Sequence, residues 1–174
     1  MTHTNFLGIP VEGDISRGDV RIPQRPLSEL EPIIRTVVDD DTIHSFGWHQ
    51  YTPYFNDGDP CIFSAYGFWI KTVNDIADDA DDDDGDDDYG DYNSNSYGLE
   101  SNEHPTLGSR EYDYATKTYK PYEGPDEDRF DRCLLLSKAI EGGEFENVLL
   151  EAFGDHAEIT VKRTGISVEF YSRD

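Results

Sequence analysis

Residues 157–171 carry the clearest structural signal in the chain and read Ala-Glu-Ile-Thr-Val-Lys-Arg-Thr-Gly-Ile-Ser-Val-Glu-Phe-Tyr. Apolar and polar side chains alternate on both sides of the turn Arg163-Thr164-Gly165. Successive side chains of a strand point to opposite faces, so this alternation is typical of strands with one buried and one solvated face. The stretch therefore predicts an antiparallel β-hairpin.

A second pair of strands is predicted at 45–52 and 61–72. Both are rich in aromatic and β-branched residues, which favour strands. The second is apolar on both faces, which is typical of a strand that is central or covered on both sides. The connection at 53–60 contains Asn56-Asp57-Gly58, residues that tolerate the positive φ of a turn, so these strands are predicted to form a second hairpin.

Three helices are predicted, at 27–38, 125–140 and 144–153, from apolar spacings of three and four, acidic first turns and closing glycines. In the first, Ser28 and Glu31 have capping-box spacing. Because hairpins alternate with grouped helices, the predicted fold is α+β: a mainly antiparallel sheet with about three helices packed on one face. The residues predicted to be buried are Trp48, Phe63, Phe68, Leu134, Leu149, Ile159, Val161 and Val168.

The chain has 174 residues and a formal net charge of -24. Eleven aspartates and no basic residue lie between Asp75 and Asp91, and the other 27 of the 38 acidic residues still outnumber the 14 lysines and arginines. Such a field repels phosphates and anionic lipids. We therefore expect no direct binding of nucleic acid and no membrane association, and we expect basic proteins or cations as partners.

The predicted organisation is an irregular N-terminal arm at 1–26 and a single α+β domain at 27–174. An acidic, tyrosine-rich insertion at 73–124 interrupts that domain. With few apolar residues to offset its ordering entropy, the insertion is predicted to be largely disordered or loosely pinned. No apolar stretch of about 18 residues and no secretory leader pattern occurs in the sequence, and two cysteines form no disulfide framework, which predicts a cytoplasmic location in a bacterial host.

The candidate binding residues are carboxylates interleaved with aromatic side chains. Carboxylates can form charge-assisted hydrogen bonds with arginine and lysine, and aromatic rings supply contact area. In the loop at 53–60 the alternative is an ordinary turn whose Tyr54 and Phe55 fold under to cover the core, and in the acidic run it is a purely solubilising charge. The candidates are Tyr54, Asp57, Asp59, Asp81, Asp82, Asp83, Asp84, Asp86, Asp87, Asp88, Tyr89 and Tyr92.

Catalytic and metal-binding patterns do not emerge from the sequence. An EF-hand spacing over 80–91 has Ala80 at its first position and Asp91 in place of the final bidentate Glu. Cys61 and Cys133 are predicted to be small buried hydrophobes rather than nucleophiles. No zinc spacing, phosphate loop or nucleophile elbow is present. We therefore predict no enzymatic activity, no cofactor and no specific metal.

Two motifs resemble a family of proteins from actinobacteria and their phages. The first is Trp48-His-Gln-Tyr-Thr-Pro-Tyr-Phe-Asn-Asp-Gly-Asp-Pro-Cys61, and the second is Gly154-Asp-His-Ala-Glu-Ile-Thr-Val161, which leads into the last hairpin. The resemblance implies a bacterial or phage origin. It implies no activity and transfers no catalytic residue.

The leading hypothesis is an acidic, phage-encoded inhibitor that blocks a basic, nucleic-acid-binding surface of a host protein by nucleic-acid mimicry. The carboxylates would take the place of phosphates opposite lysine and arginine. Two other classes stay open: an immunity-type protein that neutralises a basic toxin, and a phage virion or assembly component. The last class predicts homo-oligomers, and the sequence leaves the oligomeric state open.

Overall fold

The computed structural model describes residues 4–12, 22–55, 57–58, 60–79 and 97–172. Within these ranges the helices are α1 (Leu27–Val38), α2 (Val73–Asp79), α3 (Glu127–Glu141) and α4 (Glu146–Phe153). The strands are β1 (Thr4–Phe6), β2 (Ile9–Val11), β3 (Ile43–Tyr51), β4 (Ser64–Thr72), β5 (Glu103–His104), β6 (Gly108–Ser109), β7 (Tyr112–Asp113), β8 (Thr118–Tyr119), β9 (Ala157–Lys162) and β10 (Gly165–Phe170). None of the helices in these ranges is both long and apolar enough to cross a bilayer.

The central sheet has the strand order β10-β9-β3-β4, and every neighbouring pair is antiparallel. The predicted α+β fold with a mainly antiparallel sheet is therefore confirmed. Both predicted hairpins are present, β9 with β10 and β3 with β4. The shift of register between Gly47 and His49 and the positive φ of 66° at Gly67 mark an irregularity in the β3–β4 pair.

The outer edge of β4 is covered, although this strand lies at the end of the central sheet. The backbone N–H of Phe68 donates to Glu141 on α3 at 2.6 Å, and Nε2 of His104 bonds the carbonyl oxygen of Ile70 at 2.6 Å. Between them, Trp69 pairs with Gly98 in an antiparallel bridge. The segment after the acidic run thus satisfies backbone groups that an edge strand otherwise leaves open.

The core lies between the sheet and helices α1, α3 and α4. Leu30 of α1, Phe130 of α3 and Leu149 of α4 belong to one buried cluster with Trp48 and Ile159 of the sheet. Six of the eight residues predicted to be buried are so, and Leu134 packs against the cluster while half-buried. The sequence prediction is wrong for Val168, which is 48% exposed.

Val168 is exposed because β10 is the last strand of the sheet and none of the described helices packs over it. Its side chain lies on the same face as Ile159, its cross-strand partner, which is fully buried. All six residues of β10 are exposed, whereas β9 alternates between buried and partly exposed positions. The predicted pattern of one buried and one solvated face therefore holds for β9 alone.

The described parts of the predicted insertion, 73–79 and 97–124, are packed more closely than their composition suggests. Leu99 and Leu107 are 1% and 0% exposed and belong to the core cluster. The buried Asp75 carboxylate accepts hydrogen bonds from the Thr72 backbone N–H at 2.7 Å and from the Thr106 hydroxyl at 2.9 Å. Residues on both sides of the acidic run are thus fastened to the end of β4.

His104 completes this buried polar network. Its Nδ1 accepts from the backbone N–H groups of Thr106 and Leu107, each at 3.2 Å. With Nδ1 accepting, Nε2 carries the proton and donates to the Ile70 carbonyl oxygen. Burial lowers the pKa of His104, in keeping with a neutral ring.

The described parts of the N-terminal arm contain a short hairpin and an anchored segment. β1 and β2 pair antiparallel. Further along, the Gln24 side chain donates to the Gly143 carbonyl oxygen at 2.7 Å and accepts from the Asn147 backbone N–H at 2.9 Å. Residues 22–26 are thereby held against the α3–α4 connection.

Candidate functional site

The loop between β3 and β4 exposes the two predicted binding residues that the structure describes. Tyr54 is 68% exposed and its neighbour Phe55 is 81% exposed, so the alternative in which both fold under to cover the core is wrong. Asp57 is also exposed. The other predicted residues, Asp59, Asp81, Asp82, Asp83, Asp84, Asp86, Asp87, Asp88, Tyr89 and Tyr92, lie outside the described residues.

Tyr54 joins a group of rings that we call the aromatic face, which consists of Tyr51, Tyr54, Tyr66, Tyr171, His49 and His156. Tyr54 stacks on His156 with ring centroids 4.7 Å apart, and Tyr171 stacks on His49 at 4.1 Å. Trp48 and Gln50 point into the core, so the alternating His49 and Tyr51 point away from the helices. These residues are far apart in the sequence, so their spacing could not predict that the rings come together.

One ring of the aromatic face, that of His49, is buried. His49 is only 5% exposed, and its Nε2 lies 3.6 Å from a carboxylate oxygen of Glu158. Burial, reinforced by the neighbouring Tyr171, raises the pKa of Tyr66 far above its ordinary value, so this phenol stays protonated and is a poor nucleophile. The rings of this face also contact one another, as in the pairs Tyr51–Tyr66 and Tyr66–Tyr171.

A second surface, absent from the predicted site, is an acidic cleft that we call the tyrosine cleft. It encloses about 490 Å³ and is lined by Glu100, Ser101, Asn102, Glu103, Glu111, Tyr112, Tyr114 and Tyr119. A neighbouring cleft of about 320 Å³ shares Glu100, Asn102 and Tyr119 with it and extends to Glu141 and Lys138 on α3. The two form one acidic surface that joins the 97–119 segment to α3.

The β7–β8 hairpin positions the tyrosines of this cleft. Tyr112 pairs with Tyr119 across the hairpin, and their ring centroids are 5.1 Å apart in an edge-to-face arrangement. Tyr114 contacts Tyr112 in the same way, also at 5.1 Å. The Asp113 carboxylate accepts from the Ala115 backbone N–H at 2.8 Å, which closes the turn in the manner of an Asx-turn. The rings are therefore ordered before any ligand arrives.

The carboxylates of the tyrosine cleft are only partly neutralised. Glu111 pairs with Lys120 at 2.7 Å, whereas Glu100 and Glu103 have no cationic partner among the described residues. Burial, together with the nearby Glu100 charge, raises the pKa of Glu141. Tyr114 and Tyr119 are 85% and 58% exposed, so ring faces stand beside unpaired carboxylates. Such a cleft attracts cations and repels anions.

The two cysteines, both predicted to be buried, differ in their exposure to solvent. Cys133 is fully buried as predicted, and burial raises the pKa of its thiol to about 12. Cys61 is exposed, so the prediction of burial is wrong for it, because it precedes the start of β4 at Ser64 instead of beginning the strand. Among the described residues, no three His, Cys, Asp or Glu side chains are placed to hold a metal ion.

Comparison with known proteins adds no relative. No family model, curated protein or solved structure matches the chain. The resemblance to proteins of actinobacteria and their phages therefore stays a prediction.

Proposed function

We propose that this is an acidic inhibitor protein that binds a basic, nucleic-acid-binding surface of another protein and keeps nucleic acid off it. The observation that carries the proposal is the tyrosine cleft, where the carboxylates of Glu100 and Glu103, which have no cationic partner in the described part of the chain, lie beside the exposed rings of Tyr114 and Tyr119. A nucleic acid offers its binding proteins the same two chemistries, anionic groups and flat π-faces.

An arginine side chain is the group that fits this cleft best. Its guanidinium can donate two parallel hydrogen bonds to a carboxylate and can stack on an aromatic ring. Among the described residues, Arg110 makes one contact of each kind: a guanidinium nitrogen lies 2.7 Å from a carboxylate oxygen of Glu127, and the guanidinium lies over the ring of Tyr122 at 5.6 Å from its centroid. The cleft offers the same kinds of group, carboxylates and aromatic rings, to an arginine of a partner protein.

The exposed loop at 53–58 supplies a second contact of the same kind. Tyr54 and Phe55 present apolar area, and Asp57 has no hydrogen-bond or ion-pair partner among the described residues. The whole-chain charge of -24 then accelerates encounter with a basic partner and repels free nucleic acid. The resemblance to phage proteins adds a phage origin, with a host protein as target, to the proposal.

The experiment is affinity capture from a bacterial lysate, followed by competition. The full chain is immobilised, nuclease-treated lysate is passed over it at low salt, and bound proteins are eluted either with raised salt or with a short DNA duplex. We expect DNA-binding or RNA-binding proteins to be captured and released by both treatments, because the duplex competes for the same basic surface.

The outcomes separate this proposal from its alternatives. A captured basic protein that salt releases and the duplex does not would favour an immunity-type protein that binds a toxin away from any nucleic-acid site. Capture that is insensitive to salt would contradict the electrostatic basis of the proposal. If no protein is captured at low salt, the proposal is contradicted, and the negative charge serves solubility alone.

A further inference from the structure

The two edge strands of the central sheet differ in whether other residues cover their outer edge. The outer edge of β4 is covered by Glu141, His104 and Gly98, whereas β10 has no neighbouring strand on its outer side among the described residues. Edge strands in soluble proteins are commonly protected by prolines, lysines, bulges or a covering segment. β10 contains no proline or lysine, and its six-residue register with β9 has no bulge.

The uncovered strand also carries a row of large apolar side chains. Ile166, Val168 and Phe170 are 54%, 48% and 78% exposed. Their partners on β9, Val161, Ile159 and Ala157, are all buried in the core. The row therefore continues the apolar, helix-packed face of the sheet past the last helix and into solvent.

The backbone groups of the same three residues point outward. The N–H of Tyr171 donates to the His156 carbonyl oxygen at 2.8 Å, toward β9. Backbone N–H directions alternate along a strand, so those of Ile166, Val168 and Phe170 point to the open edge. The strand thus offers hydrogen-bonding groups and apolar side chains in one row.

This row is complementary to itself. An antiparallel pair centred on Val168 places Val168 opposite its copy and Ile166 opposite Phe170 of the second copy, with the outward backbone groups in register. On the other face, Glu169 falls opposite Ser167, so no like charges meet. Residues 157–172 hold two acidic residues, Glu158 and Glu169, and two basic ones, Lys162 and Arg163, for a net charge of zero in a chain of -24.

We propose that the protein forms a two-fold dimer in which β10 pairs antiparallel with β10 of a second copy, joining the two four-stranded sheets into one. A second copy fits better than an unrelated strand, because the register matches itself and the local charge is neutral, so two acidic chains can approach here. The pairing would bury the apolar row and satisfy the open backbone groups.

The test is sedimentation equilibrium of the full chain from micromolar to submillimolar concentration at physiological salt, with two lysine variants. We expect the wild type to approach twice the monomer mass of 19.8 kDa. Val168→Lys places two charges face to face at the dimer axis and should leave a monomer at every concentration. The matched variant Ser167→Lys places a lysine opposite Glu169 of the second copy and should retain the dimer.

Circular dichroism and thermal unfolding of the monomer-forming variant verify that it folds, and amide hydrogen exchange at Val168 reports on the strand itself. In the wild type we expect exchange at this amide to slow as concentration rises. A monomeric wild type overturns the proposal, even if the Val168 amide is protected, since another segment of the same chain would then cover the edge. A dimer that persists in Val168→Lys overturns it as well, because another surface would hold the copies together.

Discussion

Gln50 shows how much a single buried polar residue can do in this fold. Its amide nitrogen donates to the Leu149 carbonyl oxygen at 3.0 Å and to the Gly154 carbonyl oxygen at 2.6 Å. Its amide oxygen accepts from Trp48 Nε1 at 3.0 Å, and the residue is fully buried. One side chain therefore connects the sheet to helix α4 and to the first residue of the α4–β9 connection.

We expect Gln50→Leu to lower the free energy of unfolding by about 3 kcal/mol or more, because each buried polar group left without a partner costs about 1–3 kcal/mol. Chemical denaturation measures the change. Asn147→Leu, which removes an exposed amide from α4, is the control and should change stability by less than about 0.5 kcal/mol. Equal effects of the two substitutions would show that the Gln50 bonds contribute little.

His104 makes the stability of the protein depend on pH. Burial lowers its pKa in the folded chain, so the unfolded chain binds more protons as the pH falls below the ordinary histidine value of about 6.5. The free energy of unfolding should therefore fall between pH 7 and pH 5. His104→Gln is less stable at neutral pH but should show a flatter pH dependence over this interval. Denaturation curves at several pH values measure both slopes, and identical slopes would contradict the account.

Among the larger elements, helix α3 has a defined start that the sequence indicates. Asp126 is its N-cap, and the carboxylate accepts from the Arg129 backbone N–H at 3.1 Å. Asp126→Ala should lower stability by about 0.5–2 kcal/mol, as the loss of an N-cap does. Asp126→Asn keeps an acceptor oxygen and should lose less. Thermal unfolding distinguishes the two, and equal losses would mean that the charge, not the cap, is what stabilises the helix.

The elements with regular periodicity could be predicted, and those that depend on distant contacts could not. Helix α1 spans the predicted residues 27–38 and ends at the expected aspartates, with Asp39 as its C-cap. Its N-cap is Pro26, so the prediction that Ser28 and Glu31 form a capping box is wrong. Leu99 and Leu107 stand alone in a polar stretch, so no periodicity signals that they are fully buried. Their segment packs along the edge of β4, through the bridge between Trp69 and Gly98, and that edge exists only in the folded sheet.

The sequence located only part of the candidate site. Tyrosines beside carboxylates indicated a surface for basic groups, and Tyr54 and Asp57 are exposed as this requires. Glu100 and Glu103 carried no motif, because they share a cleft with the tyrosines only when the β7–β8 hairpin folds beside them. A surface formed by residues that are separated in the sequence leaves no local pattern.

Taken over the whole molecule, charge should limit stability as well as attract a partner. Changing the seven aspartates at 81–84 and 86–88 to asparagine brings the net charge from -24 to -17. Because less self-repulsion remains, the melting temperature should stay unchanged or rise slightly at low salt, and any gain should vanish at high salt. Scanning calorimetry at two salt concentrations tests this, and a marked loss of stability would assign these residues a structural role.

The measurement that bears most directly on the proposed function is the dissociation rate of a captured partner from matched charge variants. Two double variants are compared, and each removes two negative charges. The cleft variant combines Glu100→Gln with Glu103→Gln, which line the tyrosine cleft, and the control combines Glu31→Gln with Glu151→Gln, which do not. Surface-immobilised binding kinetics should show a dissociation rate raised about tenfold or more for the cleft variant, since a loss of at least about 1.4 kcal/mol corresponds to a factor of ten. The control should dissociate at the wild-type rate and at most associate more slowly. Equal dissociation rates for both variants would contradict a role for the cleft and reduce the interaction to net charge.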